Sequence, residues 1–297
     1  MCCITGMGFN VPVPVFYASN VKIPVWNLFF EWQNRLSDKL GNFTNNHKKR
    51  QKAPKVIAAF VRIHLFFMHN NPELIVMLTH DDFTVSNARE IFEQCAHSKV
   101  MCWGMKESPL PKAEMKALYG RMKECSKTTF LEVVAYTEQE GLAGAEMAAE
   151  CGCDILMGTT FYDSINGYCA EHGLKYMPFV GTVEGRPSVL KGDVEEIVLQ
   201  ARECVAKGAY GVDLLGYRYQ GDVERLCRAL ISGVDAPVCM AGGVDSFAKL
   251  DEVKSMSPWA FTIGSAFFEN KFGDSFGRQL DVVHEYINRD SEEGGEK

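Results

Sequence analysis

From residue 72 onward, short apolar runs alternate with longer amphipathic stretches. The runs are rich in Val, Ile, Leu, Met and Phe, which favours β-strands, and the stretches between them repeat their apolar positions every three to four residues, which favours α-helices. The pattern predicts eight strands, each followed by a helix: LIVMLT (74–79), KVMCWG (99–104), TFLEVVAY (129–136), DILMGT (154–159), LKYMPFVG (174–181), YGVDLLG (210–216), APVCMAG (236–242) and AFTIGS (260–265).

Eight strand–helix units in about 230 residues match the count and length of a closed α/β barrel, the (β/α)8 TIM barrel. The pattern therefore predicts a barrel domain over residues 68–297. An open, doubly wound sheet uses the same alternation and stays the alternative, although the absence of a long insertion between the units favours the closed form. In a TIM barrel, function gathers at the C-terminal ends of the strands, so those ends are where chemistry is expected.

Three charged residues are predicted to point into the barrel. Successive side chains of a strand face opposite sides, and Leu131 and Val133 suit the face packed against helices, so Glu132 points inward. The same alternation turns Asp213 inward and brings Lys106 to the end of the second strand. Because buried unpaired charge is costly, the trio is either a structural ion network or a proton-transfer set with pKa values tuned by burial. The position of Lys106 favours a functional role.

Two further residues at strand ends are weaker candidates. His80 follows the first strand and can act as a general base or cap the strand end. Arg186, in the loop VEGRP, can clamp a phosphate or carboxylate or point into solvent. The sequence contains no HExxH, GxSxG or P-loop motif and no paired Cys/His spacing, so metalloprotease, serine hydrolase, nucleoside-triphosphatase and metal sites lack support.

The last two predicted strands end in small residues, Ala241-Gly242-Gly243 and Gly264-Ser265-Ala266. Such endings make tight turns, and they also let backbone N–H groups approach an anion. We call Gly242, Gly243, Gly264 and Ser265 the glycine cradle.

AGGVDSFAKLDEV (241–253) and FTIGSAFFENKF (261–272) resemble the phosphate-binding end of the ribulose-phosphate-binding barrel superfamily. That superfamily includes phosphoribosyl isomerases, N-acetylmannosamine-6-phosphate epimerases, hexulose-phosphate synthases and keto-deoxy-phosphogluconate aldolases. The resemblance implies that the glycine cradle binds a substrate phosphate. The likeness in architecture covers residues 72–290, and the likeness in motif covers 236–272.

The chain departs from two branches of the superfamily. The decarboxylase and synthase branch carries Asp-x-Lys-x-x-Asp on the third strand, where this chain reads EVVAY (132–136). The aldolase branch has a Schiff-base lysine on the sixth strand, where Asp213 stands here. The lysine at the end of the second strand, Lys106, is similar to one in the epimerase branch.

Together these features favour an enzyme that acts on a small phosphorylated sugar or related metabolite by proton transfer next to a carbonyl, an isomerase or epimerase. Lys106 with Glu132 or Asp213 would move the proton, and Arg186 would bind a second polar group. No redox cofactor is implied, although a flavin nucleotide fits the same cradle. The alternatives are an aldolase- or decarboxylase-type lyase on a phosphorylated keto acid, and a non-catalytic barrel that binds a phosphorylated ligand.

Charge divides the chain unevenly. The whole chain carries −7, an ordinary balance that does not suggest nucleic-acid binding, but residues 1–67 contain nine Lys and Arg against two acids. We interpret residues 1–67 as a basic N-terminal extension, poorly ordered or misannotated, in preference to a functional module.

The remaining composition indicates a cytoplasmic protein. The eleven cysteines are scattered without a CxxC pair, which is typical of reduced thiols. No run of about 18 apolar residues and no secretory signal is present, so no membrane partner is expected. The oligomeric state stays open, with a homo-oligomer as one alternative.

Overall fold

The computed structural model describes the backbone of residues 15–18 and 21–24 and all of residues 71–289. The chain divides into two units, Met1–Met68 and His69–Lys297. In the first unit, strands β1 (Val15–Ala18) and β2 (Val21–Pro24) pair as an antiparallel hairpin. The rest of the predicted N-terminal extension, including its basic run, lies outside the described residues.

The second unit contains a closed barrel of eight parallel strands. They are β3 (Glu73–Met77), β6 (Cys102–Lys106), β7 (Thr128–Val133), β8 (Ile155–Thr160), β9 (Lys175–Phe179), β12 (Val212–Leu214), β13 (Val238–Met240) and β14 (Ala260–Ile263). Their order is β12-β13-β14-β3-β6-β7-β8-β9, and β12 also pairs with β9. All eight predicted strands are confirmed, and the pairing of β14 with β3 excludes the open sheet.

Two small antiparallel hairpins project from the C-terminal ends of the strands. One joins β4 (Thr79–His80) to β5 (Phe83–Thr84), directly after β3. The other joins β10 (Thr182–Glu184) to β11 (Val189–Lys191), directly after β9. The sequence pattern predicted neither hairpin, because strands of two or three residues leave no periodic signal.

Helices follow the barrel strands as the pattern predicted. They are α1 (Ala88–Cys95), α2 (Lys112–Glu124), α3 (Glu138–Cys151), α4 (Asp163–Glu171), α5 (Val194–Ala206), α6 (Val223–Gly233), α7 (Phe247–Met256), α8 (Ser265–Phe268) and α9 (Phe276–Asn288), and a 3-10 turn, Gly216–Arg218, follows β12. Asp193 and Asp222 cap α5 and α6 by accepting backbone N–H groups. Gly152 ends α3 in the left-handed conformation expected of a C-terminal glycine. In the part of the chain that the structure describes, no helix is long and apolar enough to cross a membrane.

The hydrophobic core has two layers. The larger layer lies between strands and helices and contains Leu131 and Val133. The smaller layer fills the barrel interior and contains Ile75, Phe130 and Met177. All nine cysteines within residues 71–289 are free, and eight of them are buried. Phe130 on the inner face and Leu131 on the outer one confirm the predicted alternation of β7.

Candidate functional site

A cavity of about 200 Å³ opens at the C-terminal ends of the strands. Its lining includes six of the predicted site residues: Lys106, Glu132, Gly242, Gly243, Gly264 and Ser265. The barrel brings them together because they end neighbouring strands of one parallel ring, although Lys106 and Ser265 are far apart in sequence. The cavity therefore joins the predicted proton-transfer residues to the glycine cradle.

Lys106 is the charged centre of this cavity. Its Nζ pairs with Asp82 Oδ1 and lies 3.5 Å from Glu132 Oε1, and its side chain is only 8% exposed. Thr84 fixes its backbone, since the hydroxyl accepts from the Lys106 N–H at 2.8 Å and donates to the Lys106 carbonyl at 2.9 Å. Burial lowers the pKa of Lys106, but Glu132 and Asp82 together outweigh burial, so the pKa is raised and the ammonium form is favoured.

Asp82 was missed by the sequence analysis. It lies in the turn between β4 and β5, with φ of 71° next to Asp81 at 47°, so two consecutive residues adopt the left-handed conformation. The turn points Asp82 into the cavity, whereas the predicted base from the same stretch, His80, does not line it. His80 stacks against Phe268 with ring centroids 5.7 Å apart, and its side chain is 39% exposed. The role of His80 as a general base stays a prediction, and it lies outside the lining of this cavity.

Asp213 lies in the barrel interior below the cavity, as the alternation of β12 predicted. It has no exposed surface, and neither carboxylate oxygen has a hydrogen-bond partner. Burial, followed by the nearby Glu132, raises its pKa well above the ordinary value, while the Lys106 ammonium acts in the opposite direction. The raised pKa favours the protonated, neutral form of Asp213.

The backbone of the glycine cradle is shaped for close approach. Gly242 and Gly243 have φ of 109° and 123°, which favour glycine, and a Cβ added to Gly243 would meet no atom within 4 Å. The space beside Gly243 is open to a ligand. At Gly264 an added Cβ would lie 2.6 Å from Thr79 Oγ1, so this glycine is required by packing. Ser265 begins α8, and its hydroxyl accepts the Asp81 N–H at 3.2 Å.

Arg218 adds a cation beside the cradle. It follows β12 in the 3-10 turn, lines the cavity, and donates from Nε to the Gly242 carbonyl at 2.9 Å. No sequence motif marks Arg218. Lys249 supports the same turn by donating to the Gly243 carbonyl at 2.6 Å. The cradle is thus built from backbone amides with a positive side chain at its edge.

Arg186, the predicted binder of a second polar group, does not line the cavity. Its guanidinium pairs with Glu107 at 2.6 Å and lies 3.7 Å from Asp82 Oδ2. Within residues 71–289, no group of three or more His, Cys, Asp and Glu side chains is arranged to bind a metal ion.

A larger cavity of about 670 Å³ lies at the opposite end of the barrel, where strands begin and helices end. Its charged residues are already engaged: Lys127 donates to the Val100 carbonyl, and Lys123 pairs with Asp154 at 2.9 Å. Active sites of this fold lie at the other end. We therefore assign the candidate site to the smaller cavity.

No family model matches this chain, and no curated protein matches it. Solved structures share its fold. A cube-shaped, highly porous protein cage designed by fusing symmetric oligomeric domains is 14% identical, with a TM-score of 0.52 over 73% of this chain and 71% of that one. A native KDPGal structure is 14% identical, with a TM-score of 0.52 over 72% and 92%. A mandelate oxidase mutant with a monooxide FMN adduct is 13% identical, with a TM-score of 0.50 over 72% of each chain.

At these identities the likeness shows the fold alone. The closed parallel barrel and the similarity to the KDPGal structure both show the TIM-barrel fold.

Proposed function

We propose that this barrel is an enzyme that binds a small phosphorylated sugar and transfers a proton next to its carbonyl group, as an isomerase or epimerase. One observation carries the proposal: a single cavity has the glycine cradle in its lining together with Lys106 and Glu132. A molecule with a phosphate on one end and a carbonyl on the other suits both groups at once.

The cradle supports an anionic end. Glycines with positive φ let backbone N–H groups approach phosphate oxygens, and Arg218 adds a charge-assisted donor at the cavity edge. Its Nε is committed to Gly242, so the terminal nitrogens are the ones that would face the phosphate.

Lys106 and Glu132 support the chemistry. Removing a proton from the carbon beside a carbonyl needs a base, and the negative charge that develops on the carbonyl oxygen needs an acid. We assign the base to Glu132 and the acid to the Lys106 ammonium, which lie 3.5 Å apart. Glu132 takes the carbon-bound proton as the carbonyl becomes an enediol, and return of a proton to either carbon or to the other face gives isomer or epimer. Asp213 lies outside the cavity lining, so we give it no proton-transfer step.

The charge of the site disfavours the lyase alternative. A Schiff base requires a neutral amine, whereas the raised pKa of Lys106 favours the ammonium. The carboxylate of a phosphorylated keto acid would face Asp82 and Glu132 at this end of the cavity. Arg186, whose Nε lies 3.7 Å from Asp82 Oδ2, is already paired with Glu107 and Asp82. The uncharged polyol end of a sugar phosphate fits these acidic surroundings better than a carboxylate does.

A ligand screen tests the phosphate end. Thermal shift should show stabilisation by several sugar phosphates and none by the dephosphorylated sugars. FMN belongs in the same screen, because its phosphate fits the cradle. Arg218→Gln should weaken the shifts, while the control Arg225→Gln, in an exposed ion pair with Glu195 on the helical surface, should leave them unchanged. No shift with any phosphate would remove the basis of the proposal.

Proton exchange tests the chemistry. Incubation with the stabilising sugar phosphates in heavy water should place deuterium on the carbon beside the carbonyl. Nuclear magnetic resonance detects this incorporation. Lys106→Gln and Glu132→Gln should each slow incorporation by about 10² to 10⁴. The control Lys112→Gln changes an exposed lysine paired with Glu150 and should not. Ligand stabilisation without incorporation would instead indicate the non-catalytic barrel, and borohydride trapping of substrate on Lys106 would indicate the lyase.

A further inference from the structure

The hairpin β10–β11, residues 182–191, crosses the mouth of the barrel. In the ring of eight strands β9 and β3 are four places apart, so they lie on opposite sides. The hairpin follows β9, yet its tip contacts the turn that follows β3, since Arg186 reaches Asp82. We call residues 182–191 the mouth hairpin.

The base of the mouth hairpin is firmly attached. Leu190 is fully buried, and its carbonyl accepts the Gln220 N–H at 2.9 Å. Tyr219 donates its hydroxyl to the Gly192 carbonyl at 2.8 Å. These bonds tie the base to the segment after β12, so they do not require the tip to lie across the mouth.

The tip is attached through Tyr136 on one side and Arg186 on the other. Tyr136 donates to the Gly185 carbonyl at 2.7 Å and lies 2.8 Å from Ser188 Oγ, and Ser188 lines the cavity. On the far side Arg186 pairs with Glu107 at 2.6 Å, approaches Asp82 at 3.7 Å, and stacks over the Phe83 ring at 5.2 Å from its centroid. Among the residues that the structure describes, the Arg186 guanidinium is the charged group of the tip that pairs with acids on this side.

Asp82 is shared between the tip and the catalytic lysine. Its Oδ1 pairs with Lys106, while its Oδ2 is buried without a hydrogen-bond partner and faces the Arg186 guanidinium. Glu107 Oε2 is likewise buried without a partner. Since Asp81 and Asp82 both adopt the disfavoured left-handed backbone, surrounding contacts must hold the turn in place. Arg186 is the contact that links this turn to the mouth hairpin.

We propose that Arg186 is a positioning residue: it holds the mouth hairpin across the barrel and, through Asp82, holds Lys106 in place. The proposal rests on the proposed function only where it concerns an effect on catalysis. Both measurements below are made without substrate. A negative phosphate screen would not contradict the role of Arg186. A negative result for Arg186 would not contradict the phosphate site.

Hydrogen exchange of the full chain, read by mass spectrometry, tests the mechanical part. Arg186→Gln should speed exchange about fivefold or more both in residues 182–191 and in the turn at residues 79–84. Glu107→Gln removes one partner and should affect mainly the mouth hairpin. The matched control Arg225→Gln, which breaks an exposed pair with Glu195, should alter neither segment. Unchanged exchange in both segments of Arg186→Gln would overturn the proposal.

The direction in which the pKa of Lys106 changes in Arg186→Gln tests the coupling between Arg186 and Lys106. Nuclear magnetic resonance of isotope-labelled lysine, with the Lys106 signal assigned by its loss in Lys106→Arg, reports the pKa of its Nζ. Loss of a neighbouring cation by itself would raise that pKa. If Arg186 positions Asp82, its removal should lower the pKa, and Arg186→Lys should restore part of the shift. A raised or unchanged pKa in Arg186→Gln would overturn the proposal.

Discussion

Replacing Asp213 with asparagine should stabilise the barrel at neutral pH, and the gain should grow with pH. Asp213 is fully buried without a hydrogen-bond partner, and burial followed by Glu132 raises its pKa well above the ordinary value. The folded protein therefore keeps a proton that the unfolded chain has released. Each pH unit between the unfolded pKa, about 4, and the folded pKa costs ~1.4 kcal/mol of folding free energy. From pH 5 to pH 7 the native protein should lose folding free energy, at most about 2.7 kcal/mol, that the asparagine variant retains.

Chemical denaturation of both proteins at pH 5, 6 and 7 measures this difference. Subtracting one unfolding free energy from the other cancels the contributions of all groups that titrate alike in both proteins. Asp235→Asn, at an exposed position, is the matched control, and its stability curve should run parallel to that of the native protein. Difference infrared spectroscopy at pH 7 should show a protonated carboxyl stretch that Asp213→Asn lacks. Parallel curves for Asp213→Asn and no such band would refute the reasoning, since Asp213 would then be a carboxylate compensated by Lys106.

Three glycines give further tests by denaturation. Gly120→Ala, in α2, adds a Cβ that meets no atom within 4 Å and should stabilise the fold by about 0.5–1 kcal/mol. Gly144→Ala, in α3, places its Cβ 2.5 Å from Val133 Cγ1 and should cost about 1–3 kcal/mol, so equal shifts at the two positions would contradict the packing. Gly264→Ala places its Cβ 2.6 Å from Thr79 Oγ1 and 3.0 Å from its carbonyl oxygen, and should cost about 1–3 kcal/mol and weaken sugar-phosphate binding in the thermal-shift screen.

The barrel and the inward carboxylates could be predicted from the sequence because both depend on regular periodicities. Leu131 and Val133 fix the outer face of β7, so Glu132 must face inward, and the same reasoning places Asp213. The glycine cradle could be predicted because strand ends of parallel strands lie together. Such inferences need only the direction of each strand.

Asp82 and the contacts of Arg186 could not be predicted because they depend on loop conformation. Asp82 lies between strands of two residues, in a turn whose left-handed backbone no periodic pattern marks. Arg186 meets Glu107 across 79 residues of sequence. Its loop gave equal grounds for a ligand clamp and for a solvated arginine, and the structure shows an ion-paired arginine beside the site.

The position of the seam determines when the barrel can close during synthesis. The barrel becomes a ring only when β14, the last barrel strand to be synthesised, pairs with β3, the first barrel strand. The Asp81 N–H to Ser265 hydroxyl bond spans that seam across 184 residues, and Gly264 packs on Thr79 at the same place. A nascent chain therefore carries Lys106, Glu132 and Asp213 long before it has a complete anion site. A phosphate that binds at this seam would stabilise only the completed ring. Ligand binding would therefore measure how many chains have finished folding.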